Sequence, residues 1–248
     1  MSNYFKNKVV VITGAASGLG LAIAQNLSDC GVKLALLDNN KEELLKIKEQ
    51  LGCENEIYSV DVRIASEIKR TIKEIHKRFE AIHILINSAG ITGLTNTKSH
   101  EVDITNLQKV MDVNFMGSFL TSKYSLPIML KQNYGRILHI ASIAGKEGNA
   151  GMLAYSSSKA AVIAMAKVQG KEYAETGVTI NALAPAVILT AMVDEMPDKQ
   201  VKYMTDKIPM KRCGTLDELV SMVSFIVSDK NSFTTGFTFD LSGGRATY

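Results

Sequence analysis

Cysteine is scarce in this chain. There are three in 248 residues, Cys30, Cys53 and Cys213, odd in number and widely spaced. That usage supports neither a disulfide framework nor a zinc site. His76, His83, His100 and His139 form no ligand pattern, so no metal is expected. No apolar run is long enough to span a bilayer. The opening residues, MSNYFKNKVVVITG, lack the apolar core and small-residue cleavage site of a secretory signal. An excess of one charge is also missing: 28 basic and 25 acidic residues are well mixed, for a net charge of +3. The basic stripe of a nucleic-acid binder is not found. No tract rich in proline, glycine or serine marks a linker, and no repeat stands out. The expectation is a cytoplasmic chain forming one domain over 1–248, with neither nucleic acid nor membrane as partner.

What is present is alternation. Short apolar runs, KVVVIT (8–13), KLALLD (33–38), EIYSVD (56–61), HILIN (83–87), RILHIAS (136–142), VTINALAP (178–185) and FTFD (237–240), read as strands. Helical periodicity falls between them, at 18–29, 40–51, 64–79, 103–132, 153–175 and 215–228. Seven strands alternating with helices predict an α/β fold of Rossmann type: a doubly wound, mostly parallel sheet with helices on both faces.

TGAASGLG (13–20) joins the first strand to the first helix. Gly14 allows a tight turn, and the bare backbone at Gly18 and Gly20 lets a ligand approach. Free amides at the helix start favour a pyrophosphate. The spacing is GxxxGxG rather than GxGxxG, and a ligand-free glycine turn remains an alternative. Asp38 ends the second strand, where an acidic residue accepts hydrogen bonds from ribose hydroxyls and repels a 2′-phosphate. No arginine stands at 17 or 39, so NAD is favoured over NADP. Asp38 could instead cap the following helix. Asp61 ends the third strand, placed either to receive an adenine amino group or to cap the next helix. In NSAG (87–90), Asn87 can hold the turn and Gly90 keeps the cofactor side open.

YSSSK (155–159) sets a tyrosine and a lysine four residues apart, as do Tyr4–Lys8 and Tyr203–Lys207. A free phenol, with a pKa of about 10, is a poor proton shuttle near neutrality. On a helix, residues i and i+4 share a face, and a nearby ammonium favours the phenolate. Lowering the hydroxyl to near 7 requires about 4 kcal/mol. An exposed lysine cannot supply that; a desolvated site holding a cationic nicotinamide can.

TGAASGLG, Asp61-Val62, NSAG, Asn114, Ser142, YSSSK and PAVILT (185–190) follow one another in the order and spacing of the short form of the short-chain dehydrogenase/reductases. The chain resembles that family over essentially its whole length. The resemblance implies that Tyr155 carries the proton, Ser142 holds the substrate oxygen, Lys159 also holds the nicotinamide ribose, and Asn114 fixes a water. Ser17, Leu19, Val62, Ala89 and the residues named above would line the dinucleotide. Pro185, Ile188 and Thr190 would orient its carboxamide. Two departures are Ala186, where glycine is usual, and Ser88, where asparagine is common. Gly170 interrupts its helix and suits close helix contact. In such proteins that helix and the long one before it usually form a dimer interface, and tetramers are common, so a homo-oligomer is implied.

The resemblance places a substrate lid at 187–212, with Met192, Met196, Met204 and Met210 as flexible cover. Simple packing of two short lid helices explains them as well. Lys146, Glu147, Asn149 and Met152, between Ser142 and Tyr155, are candidates for substrate contact. Their polarity points to a small polar substrate such as a sugar acid or hydroxy acid. Arg245, in LSGGRATY, is either a solvated charge or, as in related tetramers, a visitor to a neighbouring site. Three functions are weighed: an NAD-dependent alcohol dehydrogenase, an NADPH-dependent 3-oxoacyl-thioester reductase, and a nucleotide-binding scaffold without turnover.

Overall fold

The computed structural model describes residues 4–246 and 248. The side chains at 191, 192, 198 and 200 also lie outside that description, Met192 and Asp198 among them. The chain runs β1 (Val9–Thr13), α1 (Gly18–Ser28), β2 (Lys33–Asp38), α2 (Lys41–Gln50), β3 (Asn55–Ser59), α3 (Ala65–Phe79) and β4 (Ile84–Asn87). Then come α4 (Ile104–Met111), a π turn (Asp112–Met116), α5 (Gly117–Lys131), β5 (Gly135–Ile140), α6 (Ala144–Glu147), α7 (Leu153–Glu172) and β6 (Val178–Pro185). The last elements are α8 (Ala191–Asp194), α9 (Asp198–Thr205), α10 (Leu216–Ile226) and β7 (Thr238–Leu241).

The seven strands form one sheet in the order β3-β2-β1-β4-β5-β6-β7, and every pairing is parallel. Strand side chains alternate between faces, and here both faces are apolar. Val10, Ile12, Leu34, Leu36, Ile84 and Ile86 pack toward α1, α2 and α10. Val9, Val11, Leu37, Leu85 and Ile137 pack toward α3 and α5. That double burial is why the strands read as continuous apolar runs. Each fully buried Leu or Ile contributes about 1.5–3 kcal/mol relative to exposure.

The expected helix at 103–132 is divided. Between α4 and α5 the chain widens into the π turn around Asn114, whose side chain is bonded to neighbouring backbone instead of solvent. Such insertions commonly mark functional positions. Gly170 is in close contact, but not with a helix. A Cβ there would lie 2.2 Å from the Gly236 nitrogen, so the glycine admits the β6–β7 connection.

Candidate active site

β1 and β4 lie side by side, and from them the chain order departs in opposite directions. The crevice at the carboxyl ends of strands beside such a switch point is where open α/β sheets bind ligands. Thr13, Asp38, Asn87, Ser142 and Pro185 all stand at or just past those ends.

The glycine loop has two separate roles. Gly14 (φ +66°) and Gly18 (φ +53°) adopt left-handed backbone that disfavours a side chain. Gly20 is a packing position: a Cβ there would come 2.1 Å from the Gly14 carbonyl oxygen. It draws α1 onto the loop, a packing role in addition to the open ligand side that the sequence suggests. Ser17 is the N-cap of α1 but makes no side-chain capping bond. The first-turn amides of α1, including Leu19, are thus left for an anion. Thr13 Oγ1 accepts from the amides of Ser88 and Ala89, both at 3.1 Å, tying the loop to the end of β4.

Asp38 accepts from the Ala16 amide and the Asn40 amide, each at 3.0 Å. The cap of α2 is Asn40, whose side chain accepts from the Glu43 amide at 3.2 Å. Asp38 is therefore not the cap. Its carboxylate has about four acceptor positions, and two remain for ribose hydroxyls. Asp61 does not cap α3 either; Ile64 occupies that position. Arg63 grips the Asp61 carboxylate through Nε (3.0 Å) and a terminal nitrogen (2.6 Å), holding its pKa below the usual carboxylate range. An adenine amino group would share Asp61 with Arg63. The Val62 side chain faces inward, where Gly117 leaves room for it.

Asn87 departs from its expected role. Its side chain turns from the turn into the interior, accepting from Thr121 Oγ1 (2.6 Å) and lying 3.1 Å from His139 Nδ1. Gly90 keeps its expected role on the chemical side: a Cβ there would stand 3.3 Å from both Lys159 Nζ and Asn114 Oδ1.

Ser142 follows β5 by two residues and is buried; its hydroxyl accepts from the Ala144 amide at 3.1 Å. Tyr155 and Lys159 lie one turn apart on α7, with the ammonium 5.8 Å from the tyrosine ring centre. The Tyr155 residue keeps some accessible surface, but its hydroxyl lies deep enough that burial raises its pKa, while the nearby Ser142 hydroxyl acts to lower it. Lys159 Nζ donates to the Ile140 carbonyl at 2.6 Å, and burial lowers its pKa to about 8. The lysine, 5.8 Å from the ring centre, does not by itself produce the lowered phenol pKa expected from the i,i+4 spacing; burial is the largest influence on that hydroxyl. The exposed pair Tyr203–Lys207 does make that direct contact, at 2.9 Å, and the Tyr203 pKa is lowered by it.

The Asn114 side chain is occupied. Oδ1 accepts from the Ile91 amide (2.8 Å), and Nδ2 donates to the Ile91 carbonyl and to Ser158 Oγ, both at 2.9 Å. Neither amide hydrogen is free for a water. Ile188 is a core side chain, buried at 5% exposure among residues of α10. Among the described residues its main-chain N–H and C=O have no hydrogen-bond partner, although the flanking Leu189 and Gly214 amides do. Pro185 accepts from the Ile143 amide at 3.0 Å, and Thr190 accepts from the Val193 and Asp194 amides, both at 2.9 Å. A dinucleotide fits this set: uncapped amides at α1, a half-engaged carboxylate at Asp38, and peptide groups at Ile188 that have no partner among the described residues.

A family model described as enoyl-(acyl carrier protein) reductase matches residues 14–246. The chain belongs to the short-chain dehydrogenase/reductase family. It is an oxidoreductase of that family. It is 40% identical over 244 residues to a 2-dehydro-3-deoxy-L-rhamnonate dehydrogenase (NAD(+)) of a Sphingomonas species, covering 98% of this chain and 97% of that protein. It is 34% identical over 245 residues to a 3-oxoacyl-(acyl-carrier-protein) reductase of Staphylococcus epidermidis, covering 96% and 98%. Among solved structures it matches an NAD+-bound xylitol dehydrogenase (TM-score 0.91, 30% identity, 97% and 99% covered). It also matches a levodione reductase (TM-score 0.93, 31% identity, 98% and 100% covered).

Within this short-chain dehydrogenase/reductase, the polar residues expected to meet substrate are otherwise engaged. Lys146 Nζ donates to Asp240 (2.7 Å) and to the main-chain oxygen of Tyr248. Asn149 Oδ1 accepts from Arg245 at 2.9 Å, and Glu147 accepts from Arg245 Nε at 2.7 Å. Arg245 is thus neither a solvated charge nor directed away from its own chain; its side chain is 8% exposed. Met152, at the start of α7, stays partly exposed beside Asn149.

Sequence reasoning missed a buried polar chain beneath the site. His139 lies between Asn87 and Gln169, with Nε2 3.1 Å from Gln169 Oε1. Because Asn87 Nδ2 must donate, His139 Nδ1 accepts and Nε2 carries the hydrogen. Burial, with the Lys159 charge as a smaller cause, lowers the His139 pKa to about 4. A histidine inside an otherwise apolar strand run was the available signal.

Proposed function

We propose that this protein interconverts a secondary alcohol and a ketone with NAD(H), on a small polar substrate of the hydroxy-acid or sugar-acid class. The observation that carries the reading is the meeting of Ser142, Tyr155 and Lys159 at the sheet edge beside Gly90, in the same crevice as the glycine loop and the Asp38 carboxylate. The relative named as an NAD(+) sugar-acid dehydrogenase supports the substrate class.

Gly14, Ser17, Gly18, Leu19 and Gly20 form the pyrophosphate end, and Asp38 takes the adenosine ribose. Asp61, with Val62, takes the adenine side; Ala89 and Gly90 leave the middle of the crevice open. The Ile188 peptide, flanked by Pro185 and Thr190, holds the carboxamide. When bound, the oxidised nicotinamide supplies a hydride acceptor and a positive charge. Ser142 holds the substrate oxygen in place and stabilises its negative charge. Tyr155 takes the hydroxyl proton in oxidation and returns it in reduction. Lys159, desolvated and still mostly protonated at pH 7, contributes charge and holds the nicotinamide ribose. Asn114 fastens the loop segment after Gly90 to α7 through Ile91 and Ser158. The region 187–212 serves as the substrate lid.

A 3-oxoacyl-thioester reductase using NADPH is the second reading, supported by the 34% identical relative. The Asp38 carboxylate opposes a 2′-phosphate, and Ser17 supplies no cation for it. We further propose a cytoplasmic location, in keeping with three free cysteines, and a homo-oligomer. Met116, Leu153 and Val168 are exposed apolar residues on and beside the helices expected at its interface.

The deciding experiment is a panel of sugar acids, hydroxy acids, polyols and acyl thioesters with each dinucleotide, followed by absorbance of reduced nicotinamide. Turnover of a hydroxy or sugar acid with NAD supports the reading. Turnover confined to acyl thioesters with NADPH replaces it by the second.

A further inference from the structure

The peptide between Ser142 and Tyr155 forms one wall of the crevice, yet the side chains that best suit a polar substrate do not present free groups to it. Lys146 and Arg245 are each only 8% exposed at the side chain, and both are paired. Their partners are Asp240 on β7 for Lys146, and Glu147 with Asn149 for Arg245. The Tyr248 hydroxyl adds a bond to the Lys146 carbonyl at 2.6 Å.

The stretch that carries Arg245, residues 242–246, has a second face. The Met210 amide donates to the Gly243 carbonyl at 3.2 Å. A Cβ on Gly243 would come 2.6 Å from Ile208, and one on Gly244 3.3 Å from Pro209. The segment is therefore wedged between the α6 turn and the distal end of the 187–212 region. Gly243 (φ +59°) and Gly244 (φ +87°) supply the backbone bend that lets it fit.

We propose that residues 242–246, together with Tyr248, are a brace that sets the α6 turn and the lid end at a fixed separation. Glu147, Asn149 and Arg245, which touch one another, and Lys146, which touches Asp240 and Tyr248, are then positioning residues that do not touch substrate. The wall they hold carries Ser142 at one end and Tyr155 at the other. Misplacing reacting groups by about 1 Å can cost on the order of a hundredfold in rate. A nearly buried charge that loses its partner is strongly disfavoured, so loss of either ion pair should open the wall.

The test is reciprocal charge exchange: Glu147→Arg, Arg245→Glu and the double variant, with Arg245→Gln as a milder change. Amide hydrogen exchange across 144–152 reports the brace itself. Turnover reports its consequence, and that readout rests on the function proposed above. In the single variants, exchange at 144–152 should rise and kcat/KM should fall, each by about tenfold or more. The dissociation constant for NAD should stay within about twofold, since the glycine loop and Asp38 are untouched. The double variant should recover both quantities to within about threefold. Unchanged exchange in folded single variants would overturn the proposal, as would a folded double variant with no recovery. If the unaltered protein oxidised no alcohol tried, the functional reading would fail, and the exchange data would still decide the brace.

Discussion

Lys159 Nζ lies 5.8 Å from the centre of the Tyr155 ring, but it donates to the Ile140 carbonyl, at 2.6 Å. The two residues share a helix face and a desolvated setting. That setting raises the pKa of the phenol and lowers that of the lysine to about 8. Ser142 is the protein group that acts to lower the Tyr155 pKa. In the chemistry proposed above, proton transfer by Tyr155 would therefore draw on Ser142 and on bound cationic nicotinamide as well as on Lys159.

Ser142→Ala should therefore shift the pH profile as well as the rate. Removing a hydroxyl whose influence favours the phenolate raises the apparent pKa of Tyr155. The rising limb of kcat/KM for alcohol oxidation should move to higher pH, and the plateau should fall by about a hundredfold. A lower plateau with an unmoved limb would restrict Ser142 to substrate binding.

Asp38→Ala should relax cofactor choice. The carboxylate keeps two acceptor positions for ribose hydroxyls and repels a 2′-phosphate. Each charge-assisted hydrogen bond contributes about 1.5–3 kcal/mol. The NAD-over-NADP ratio of dissociation constants should narrow by about tenfold or more, measured by titration of reduced-nicotinamide fluorescence. An unchanged ratio would remove Asp38 from cofactor selection.

The two inner glycines should respond differently to alanine. A methyl at Gly18 meets open space, and only its φ of +53° is strained, at about 1–2 kcal/mol. At Gly20 the same methyl would stand 2.1 Å from the Gly14 carbonyl oxygen, so the loop must move. Gly20→Ala should lower the thermal midpoint further than Gly18→Ala. Equal shifts would contradict the packing role of Gly20.

His139 should contribute to acid sensitivity. Its folded pKa of about 4 lies below the ordinary 6.5, so the unfolded chain binds the proton more readily. Stability is full above pH 6.5 and falls as pH drops toward 4, by about 3 kcal/mol. His139→Asn should flatten that part of the urea-midpoint curve against pH. The same slope in the variant would assign the acid loss to other groups.

The sequence made the sheet legible because parallel strands covered on both faces become unbroken apolar runs. Strand ends and the α4–α5 division were less visible, since a π turn leaves no break in apolar spacing. Candidate reacting residues were legible through their order along the chain. Their electrostatics were not. Spacing places Lys159 beside Tyr155 but says nothing of burial, which decides the direction of both pKa shifts. The pairing of Lys146, Asn149 and Arg245 was hidden for a related reason. Loop polarity does not show whether a side chain faces substrate or a segment a hundred residues away. Asn87 and His139 meet only once β4 and β5 pair, so their contact had no local signal.

The most direct test of the proposed chemistry is Tyr155→Phe, assayed in parallel for NAD binding and for oxidation of the best alcohol. Loss of an acid–base group costs about a hundredfold to ten-thousandfold, while removal of one oxygen leaves the glycine loop and Asp38 intact. NAD binding within about threefold of the unaltered protein, with oxidation lowered by at least about a thousandfold, is the expected result. Oxidation within about tenfold of the unaltered protein would show that Tyr155 does not carry the proton.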